Sequence, residues 1–423
     1  MPTPLRVAGR VRVPGDKSLS HRALIISALA SGRSRIRGIL DSADVRSTAD
    51  VLRTLGVAIP SLADDMVVDG VGLRGLRGPD QALDCGNSGT TTRLMAGVVA
   101  GAGITARFTG DASLSRRPMR RVAAPLEAMG ARVDLPPHGG LPMTVHGGQL
   151  HGVEWRSDVA SAQIKSAVLL AALVAGVEST VDEPERSRDH TERMLAARGT
   201  RLELSGTRVH IAPGGRLDAC DAVVPGDPSS AAFFAGLAAI ASAGSIELPD
   251  VGINPTRTGF FEVLRRMGAR VEVQEERDEG GEPTATIVAA PGELHGTTVG
   301  GAEVPTLIDE LPLVACLATR AAGETVITGA AELRVKESDR IKAVVDNLRA
   351  IGADAEELPD GMRIRGGGGP LRGRVVTHGD HRLAMAFGIL GAVGGNAIEV
   401  DDPACADVSY PAFWSDLARV AGA

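Results

Sequence analysis

Aromatic residues make up only 2% of this 423-residue chain: seven Phe, two Trp and one Tyr. Its cores must therefore be built mainly from Ala, Leu, Val and Ile. No aromatic RNA-binding motif and no long basic run occurs, and a net charge of −7 argues against a nucleic-acid partner. The four cysteines, Cys85, Cys220, Cys316 and Cys405, stand singly and far apart. With no CxxC and no HExxH, neither a disulfide framework nor a protein-built zinc site is expected. The longest apolar stretches, such as SAVLLAALVAGV from Ser166, fall short of the ~20 residues of a membrane span. The start, MPTPLRVAGR, has no apolar signal core and no transit-like segment. These absences leave a cytoplasmic globular protein, and its length suggests two domains.

What the chain has in quantity is repetition. VPGDKSLSHRAL from Val13 is echoed by VPGDPSSAAFFA from Val224, and the echo belongs to a larger period. A polar or glycine-containing opener followed by a helix of small apolar residues recurs at Gly15, Gly86, Ser161, Gly226, Asp309 and Gly379. The spacing is roughly 65 to 83 residues, and self-similarity that recurs in this way points to internal repetition of the fold. Most units contain a second amphipathic helix ending in a similar phrase: LEAMGARVDL, LRRMGARVEV, LRAIGADAEE. Apolar residues at helical spacing stop at Gly, which suits a C′ position, and a short strand follows.

The openers carry physical meaning. Ser, Thr, Asn, Asp and Gly at a helix start supply partners for its free backbone N–H groups. Several openers also carry Lys, Arg or His, and helix N-termini favour phosphates and carboxylates. Three such helices in each half would enclose a positive cleft. The two VPGD segments, near the start and the midpoint, read as hinges near 13–16 and 223–227. The expected domains are 15–222, and 1–14 together with 223–423, so that the N-terminal strand joins the second half.

Nine motifs in order make the chain similar to the 5-enolpyruvylshikimate-3-phosphate synthase family: VPGDKSLSHRA, DCGNSGTTTRL, GDASLSRRPM, SAQIKSAVLLA, SRDHTERML, VPGDPSSAAF, LIDELPLVA, LRVKESDRI and GDHRLAM. The resemblance implies an α/β fold. Two domains each hold three βαβαββ repeats in an inside-out α/β barrel, with the active site in the interdomain cleft. It implies transfer of the carboxyvinyl group of phosphoenolpyruvate to the 5-hydroxyl of shikimate 3-phosphate, without cofactor or metal, by a monomer. Glyphosate is the expected competitive inhibitor. Ala162, Glu332 and Val408 depart from many members and, with SAQIK and SRDHTE, point to a bacterial subgroup.

The same resemblance assigns residues. Shikimate 3-phosphate is expected on Lys17, Ser18, Arg22, Ser161, Gln163, Arg188, Asp309 and Lys336. Phosphoenolpyruvate is expected on Lys17, Asn87, Gly89, Arg117, Gln163, Arg340 and Arg382, with Thr90 beside Gly89 and His381 beside Arg382. Arg22, four residues after Ser18, shares its helix face. Arg116, Arg120 and Arg121 read as surface charges; Lys165 reads either as a site residue or as a solvated helical lysine. Asp309 is expected to take the 5-hydroxyl proton. Glu337 is the candidate proton donor to the methylene carbon, and beside Lys and Arg it would need burial or relay through Lys17 to hold that proton. The chemistry calls for such a set, because protonating an enol-ether carbon needs an acid and hydroxyl attack needs a base.

Two other readings share these features. UDP-N-acetylglucosamine enolpyruvyl transferase has the same fold and donor, but generally carries Lys-Asn after its first opener. It also has Cys or Asp in a mobile loop before an RP pair, where this chain has Lys17–Ser18 and ASLSRRP. A non-catalytic anion-binding relative would not need Lys17, Asp309 and Glu337 together.

Overall fold

The repeats build six sheets and six central helices. The computed structural model describes residues 4–422. The chain divides into two compact units: an N-terminal unit of residues 15–224 with 278–282, and a C-terminal unit of residues up to 14, 225–277 and 283 onward. The short segment 278–282 is a third excursion of the chain, one that the repeat period does not announce.

In the N-terminal unit the first repeat forms a three-stranded sheet, Ala222–Val223 beside Ser31–Arg37 beside Asp65–Val71. The second repeat gives four strands in the order Leu83–Asp84, Thr105–Thr109, Met143–His146, Arg132–Asp134, and the third gives Leu202–Ser205, Arg208–Ile211, Ser179–Asp182, Glu154–Arg156. The C-terminal unit repeats the plan with two four-stranded sheets and a two-stranded one. Its first sheet begins with the N-terminal strand Arg6–Arg10, paired parallel to Ala243–Gly252.

The six opener helices are α1 (Lys17–Leu29), α2 (Gly89–Gly101), α3 (Ala162–Ala175), α4 (Pro228–Ala239), α5 (Leu311–Ala318) and α6 (His381–Gly391). Every residue of α4 and α5 is buried, as is α1 from Leu19 on. A helix apolar all round belongs in an interior, and sheets and second helices surround these. Each unit has its own core. Leu24, Ile26, Leu94, Val98, Phe108 and Leu169 belong to one; Phe234, Leu248, Leu313, Val344, Phe387 and Phe413 belong to the other. The scarce aromatics gather in the C-terminal unit, where Phe233, Phe234, Tyr410, Phe413 and Trp414 meet with ring centroids 5.0–5.9 Å apart.

Five openers cap their helices as their side chains suggest. Asp16 accepts from the N–H of Leu19 at 2.8 Å, Ser88 from Thr91 at 3.1 Å and Ser161 from Ile164 at 3.5 Å. Asp227 accepts from Ser229 at 2.8 Å and Asp380 from Arg382 at 3.0 Å. The fifth differs: Asp309 sits in a 3-10 turn, Ile308–Glu310, and α5 starts after it with Pro312 in its first turn. Gly15 of the first VPGD is fixed by close approach, since a Cβ there would lie 1.9 Å from the carbonyl oxygen of Gly38.

Helices α2 and α3 cross backbone to backbone. Cβ atoms on Gly97 and Gly101 would lie 2.1 Å and 2.5 Å from the carbonyl oxygens of Ala167 and Ala171. This small-residue crossing sets the spacing of the two helix starts, which bear Gly89 and Gln163. Gly97→Ala should therefore destabilise the protein by about 1–3 kcal/mol through overpacking, although alanine is the better helix former by about 1 kcal/mol. Urea unfolding measures it; a midpoint at or above that of the parent would show that the crossing has room to spare.

Candidate active site

The candidate residues fall into two sets, one per unit. In the N-terminal unit, the first turn of α1 presents Lys17, whose Nζ pairs with Asp44 Oδ2 at 3.0 Å. Arg22 is buried and turned inward. Its Nε donates to Thr191 Oγ1 at 2.7 Å, Nη2 to Ser166 Oγ at 3.0 Å and Nη1 to the carbonyl of Ser18 at 3.0 Å. Burial, with help from the nearby Arg188 charge, pushes its pKa down to about 10, against the pull of Glu192 and Asp16. Through these bonds the guanidinium links the first turn of α1 to Ser166 of α3 and to Thr191 of the 190–196 helix. His21 is buried beside Thr48, 2.7 Å from Nδ1 to Oγ1, and burial lowers its pKa to about 3. It is a neutral core histidine.

The start of α2 carries Asn87, Gly89 and Thr90. Asn87 accepts from Arg117 Nη2 at 2.6 Å and donates to Asp111 Oδ2 at 2.6 Å, so the arginine of SLSRRP is held over the GNSGT turn. Gln163, at the start of α3, donates to Thr90 Oγ1 at 2.9 Å and accepts from Arg93 Nη1 at 2.6 Å. Arg93 was not singled out in the sequence; its position four residues after Gly89, on the same face, is the signal that could have found it. A Cβ on Gly89 would stand 2.7 Å from Arg93 Nη1 and 3.5 Å from Arg117 Nη1. The glycine thus lies under two guanidinium groups. Ser161 and Arg188 stand half-buried at the start of α3 and in the loop before the 190–196 helix. Lys165 is not solvated: its side chain is 2% exposed and pairs with Glu183 and Glu192. Arg120 is the surface charge expected of it, paired with Glu127.

In the C-terminal unit the candidates assemble around one guanidinium. Arg340, 1% exposed at the start of the helix Arg340–Ala350, reaches Asp309 Oδ1 at 3.3 Å through Nη1 and Glu337 Oε2 at 2.7 Å through Nη2. Its Nε is 2.8 Å from Asp380 Oδ2. Burial opposes the charge, but Asp380, Glu337 and Asp309 outweigh it and raise the pKa above the ordinary arginine value. Asp380 is buried too; Arg340 overcomes that burial and holds the carboxyl below its usual range. Lys336 Nζ lies 3.4 Å from Asp309 Oδ1. Arg382, in the first turn of α6, donates to the carbonyl of Asp309 and to Glu310 Oε1, both at 3.4 Å. Arg340 is therefore the hub of a buried network.

None of the six opener helices carries an acidic residue in its first turn. Lys17, Gln163 and Arg382 sit there in place of the carboxylates that usually offset a helix dipole. Such ends suit phosphate and carboxylate ligands. No group of His, Cys, Asp and Glu among the described residues is arranged to hold a metal ion, and no described helix is long and apolar enough to cross a membrane.

Comparisons with known proteins place the chain in a family. The family model described as EPSP synthase (3-phosphoshikimate 1-carboxyvinyltransferase) matches residues 2–417. A 3-phosphoshikimate 1-carboxyvinyltransferase of Sulfurihydrogenibium sp. (strain YO3AOP1) is 50% identical over 420 residues, covering 98% of this chain and 97% of its own. One from Bacillus subtilis (strain 168) is 46% identical over 414 residues, covering 97% of each. The solved structure of EPSP synthase from Acinetobacter baumannii superposes with a TM-score of 0.88 at 41% identity, covering 100% of this chain and 97% of that one. With a family match from end to end and the same fold, the chain belongs to the EPSP synthase family.

Proposed function

We propose that this protein transfers the carboxyvinyl group of phosphoenolpyruvate to the 5-hydroxyl of shikimate 3-phosphate, releasing phosphate. The carrying observation is the Arg340 guanidinium, which holds Asp309 on one nitrogen and Glu337 on the other. Two carboxylates are thereby held by one side chain, Asp309 ready to act as a base and Glu337 ionised against Arg340, so that Glu337 acts as the acid only after taking up a proton, by relay through Lys17. Asp309 takes the 5-hydroxyl proton as that oxygen bonds to C2 of phosphoenolpyruvate. Glu337, with Lys17 as the alternative donor, delivers a proton to C3, which becomes a methyl group. Loss of a proton from that methyl and departure of phosphate then restore the double bond. Arg382 and Arg340 neutralise the donor's carboxylate, and Lys17, Arg117 and Arg93 its phosphate. Lys17, Ser18, Arg22, Ser161, Gln163 and Arg188 hold shikimate 3-phosphate, whose hydroxyls meet Asp309 and Lys336. The reaction calls on residues of both sets.

Asp309→Asn tests the base. Substrate binding should persist while turnover falls ~10²–10⁴-fold, the usual contribution of a general base. Calorimetric titration with shikimate 3-phosphate, followed by phosphate release on adding phosphoenolpyruvate, reads both. Turnover within a factor of a few of the parent would remove Asp309 from the mechanism. Binding without any phosphate release by the parent itself would favour the non-catalytic relative.

Gly89 bears on inhibition. Glyphosate is longer than phosphoenolpyruvate and should compete with it on the Arg93–Arg117 face of the GNSGT turn. A methyl at Gly89 would take up that space and push Arg93 away from Gln163, given the 2.7 Å approach. Gly89→Ala should therefore raise the glyphosate inhibition constant about tenfold more than the KM for phosphoenolpyruvate, a difference of about 1.4 kcal/mol. Equal proportional changes in the two constants would show that Gly89 does not discriminate.

A further inference from the structure

Lys165, Glu183 and Glu192 form a buried charged cluster next to Ser161 and to the loop that carries Arg188. Lys165 Nζ is 2.8 Å from Glu183 Oε2 and 2.8 Å from Glu192 Oε1, and none of the three side chains is more than 2% exposed. Lys165 keeps its charge: burial opposes it, and Glu192 and Glu183 outweigh burial. The inward-facing Arg22, whose nitrogens bond Thr191 and Ser166, brings a second cation to the same interior. Buried ions of this kind are poor stabilisers, because desolvation offsets their attraction and apolar side chains often serve as well. Their value lies in fixing geometry.

Glu183 shows which geometry. Its Oε1 accepts the backbone N–H of Ser161 at 2.9 Å and the hydroxyl of Ser187 at 2.7 Å. Its Oε2 lies 2.8 Å from the same hydroxyl and accepts the N–H of Ser187 at 3.4 Å. One carboxylate therefore ties two separate segments: the opener of α3, which carries Ser161, and the loop that carries Arg188. We propose that Glu183 is a positioning residue for shikimate 3-phosphate, fixing the spacing of Ser161 and Arg188 while Lys165 holds Glu183 in place. The proposal rests on the reading of Ser161 and Arg188 as ligands of that substrate. Because Glu183 bonds no candidate phosphoenolpyruvate ligand, its loss should act on one substrate alone.

The test compares Glu183→Gln and the milder Ser187→Ala with the parent, by calorimetric binding of shikimate 3-phosphate and by steady-state phosphate release. Glu183→Gln should weaken shikimate 3-phosphate binding about tenfold or more, the size expected when buried charged hydrogen bonds are lost. Ser187→Ala, which removes only the hydroxyl, should weaken it about threefold. At saturating shikimate 3-phosphate, the KM for phosphoenolpyruvate and kcat should move less than twofold in Ser187→Ala. If Ser187→Ala alters both substrates equally, or lowers only the melting temperature, the cluster is merely structural and the proposal falls. Ser161→Ala and Arg188→Ala separate the two layers of argument. If they weaken shikimate 3-phosphate binding while Glu183→Gln and Ser187→Ala leave it intact, the ligand assignment stands and the positioning role fails. If neither weakens it, the ligand assignment fails and the proposal with it.

Discussion

A helix buried on every side has no face for polar residues, so only its ends can carry chemistry. That constraint organises both units. The free N–H groups at the start of α1, α2, α3, α4 and α6 are met by a single Asp or Ser cap each. The next residues are the only places where a charged or hydrogen-bonding side chain can reach the open end without crossing the core. Lys17, Gln163 and Arg382 occupy such places. Where a long polar side chain stands deeper, as with Arg22 and Lys165, it points inward and must find partners there.

The partners differ: Arg22 meets hydroxyls and a carbonyl, whereas some other buried cations meet carboxylates. Arg340 meets three carboxylates and Lys165 meets two. An unpaired ion in such surroundings would cost several kcal/mol, whereas a paired one is roughly neutral for folding. What the pairing gains is rigidity at atoms that must stay in register. Arg340 serves Asp309 and Glu337 in this way, and Asn87 serves Arg117 by a neutral version of the same device.

The sequence made the repeat plan legible because small apolar helices with polar openers recur at a regular interval, and because turns, caps and periodicity are local. The cation-bearing motifs were legible for the same reason: KESDR, DHRLAM and GDKS are contiguous. Their partners were not. Asp44 lies 27 residues from Lys17 and Asp380 lies 40 from Arg340, and Glu183 serves a lysine in another element. Nothing in a helical period distinguishes a lysine on a solvated face from one aimed at two buried carboxylates, so the sequence leaves both readings of Lys165 open and only its partners Glu183 and Glu192 decide between them. The 278–282 excursion has no sequence signature because it belongs to the turn of a hairpin, not to a repeat boundary.

A net charge of −7 might seem ill suited to two phosphorylated carboxylates, and the resolution lies in where acids are withheld. Helix first turns commonly hold Asp or Glu, which offset the positive end of the helix dipole. Several second helices follow that habit, with Asp44, Glu192 and Glu262 in their first turns. The six opener helices do not. Their cap aspartates Asp16, Asp227 and Asp380 accept backbone N–H bonds, and Asp380 is further engaged by Arg340. Much of the remaining acid is on the surface beside arginines, as in Arg33–Asp69 and Arg35–Asp65. The first turns of the opener helices thus stay free of carboxylates beyond their caps, with α5 set apart by the Asp309–Glu310 turn that precedes it, and the local distribution of charge rather than its sum decides which ligands such ends can hold.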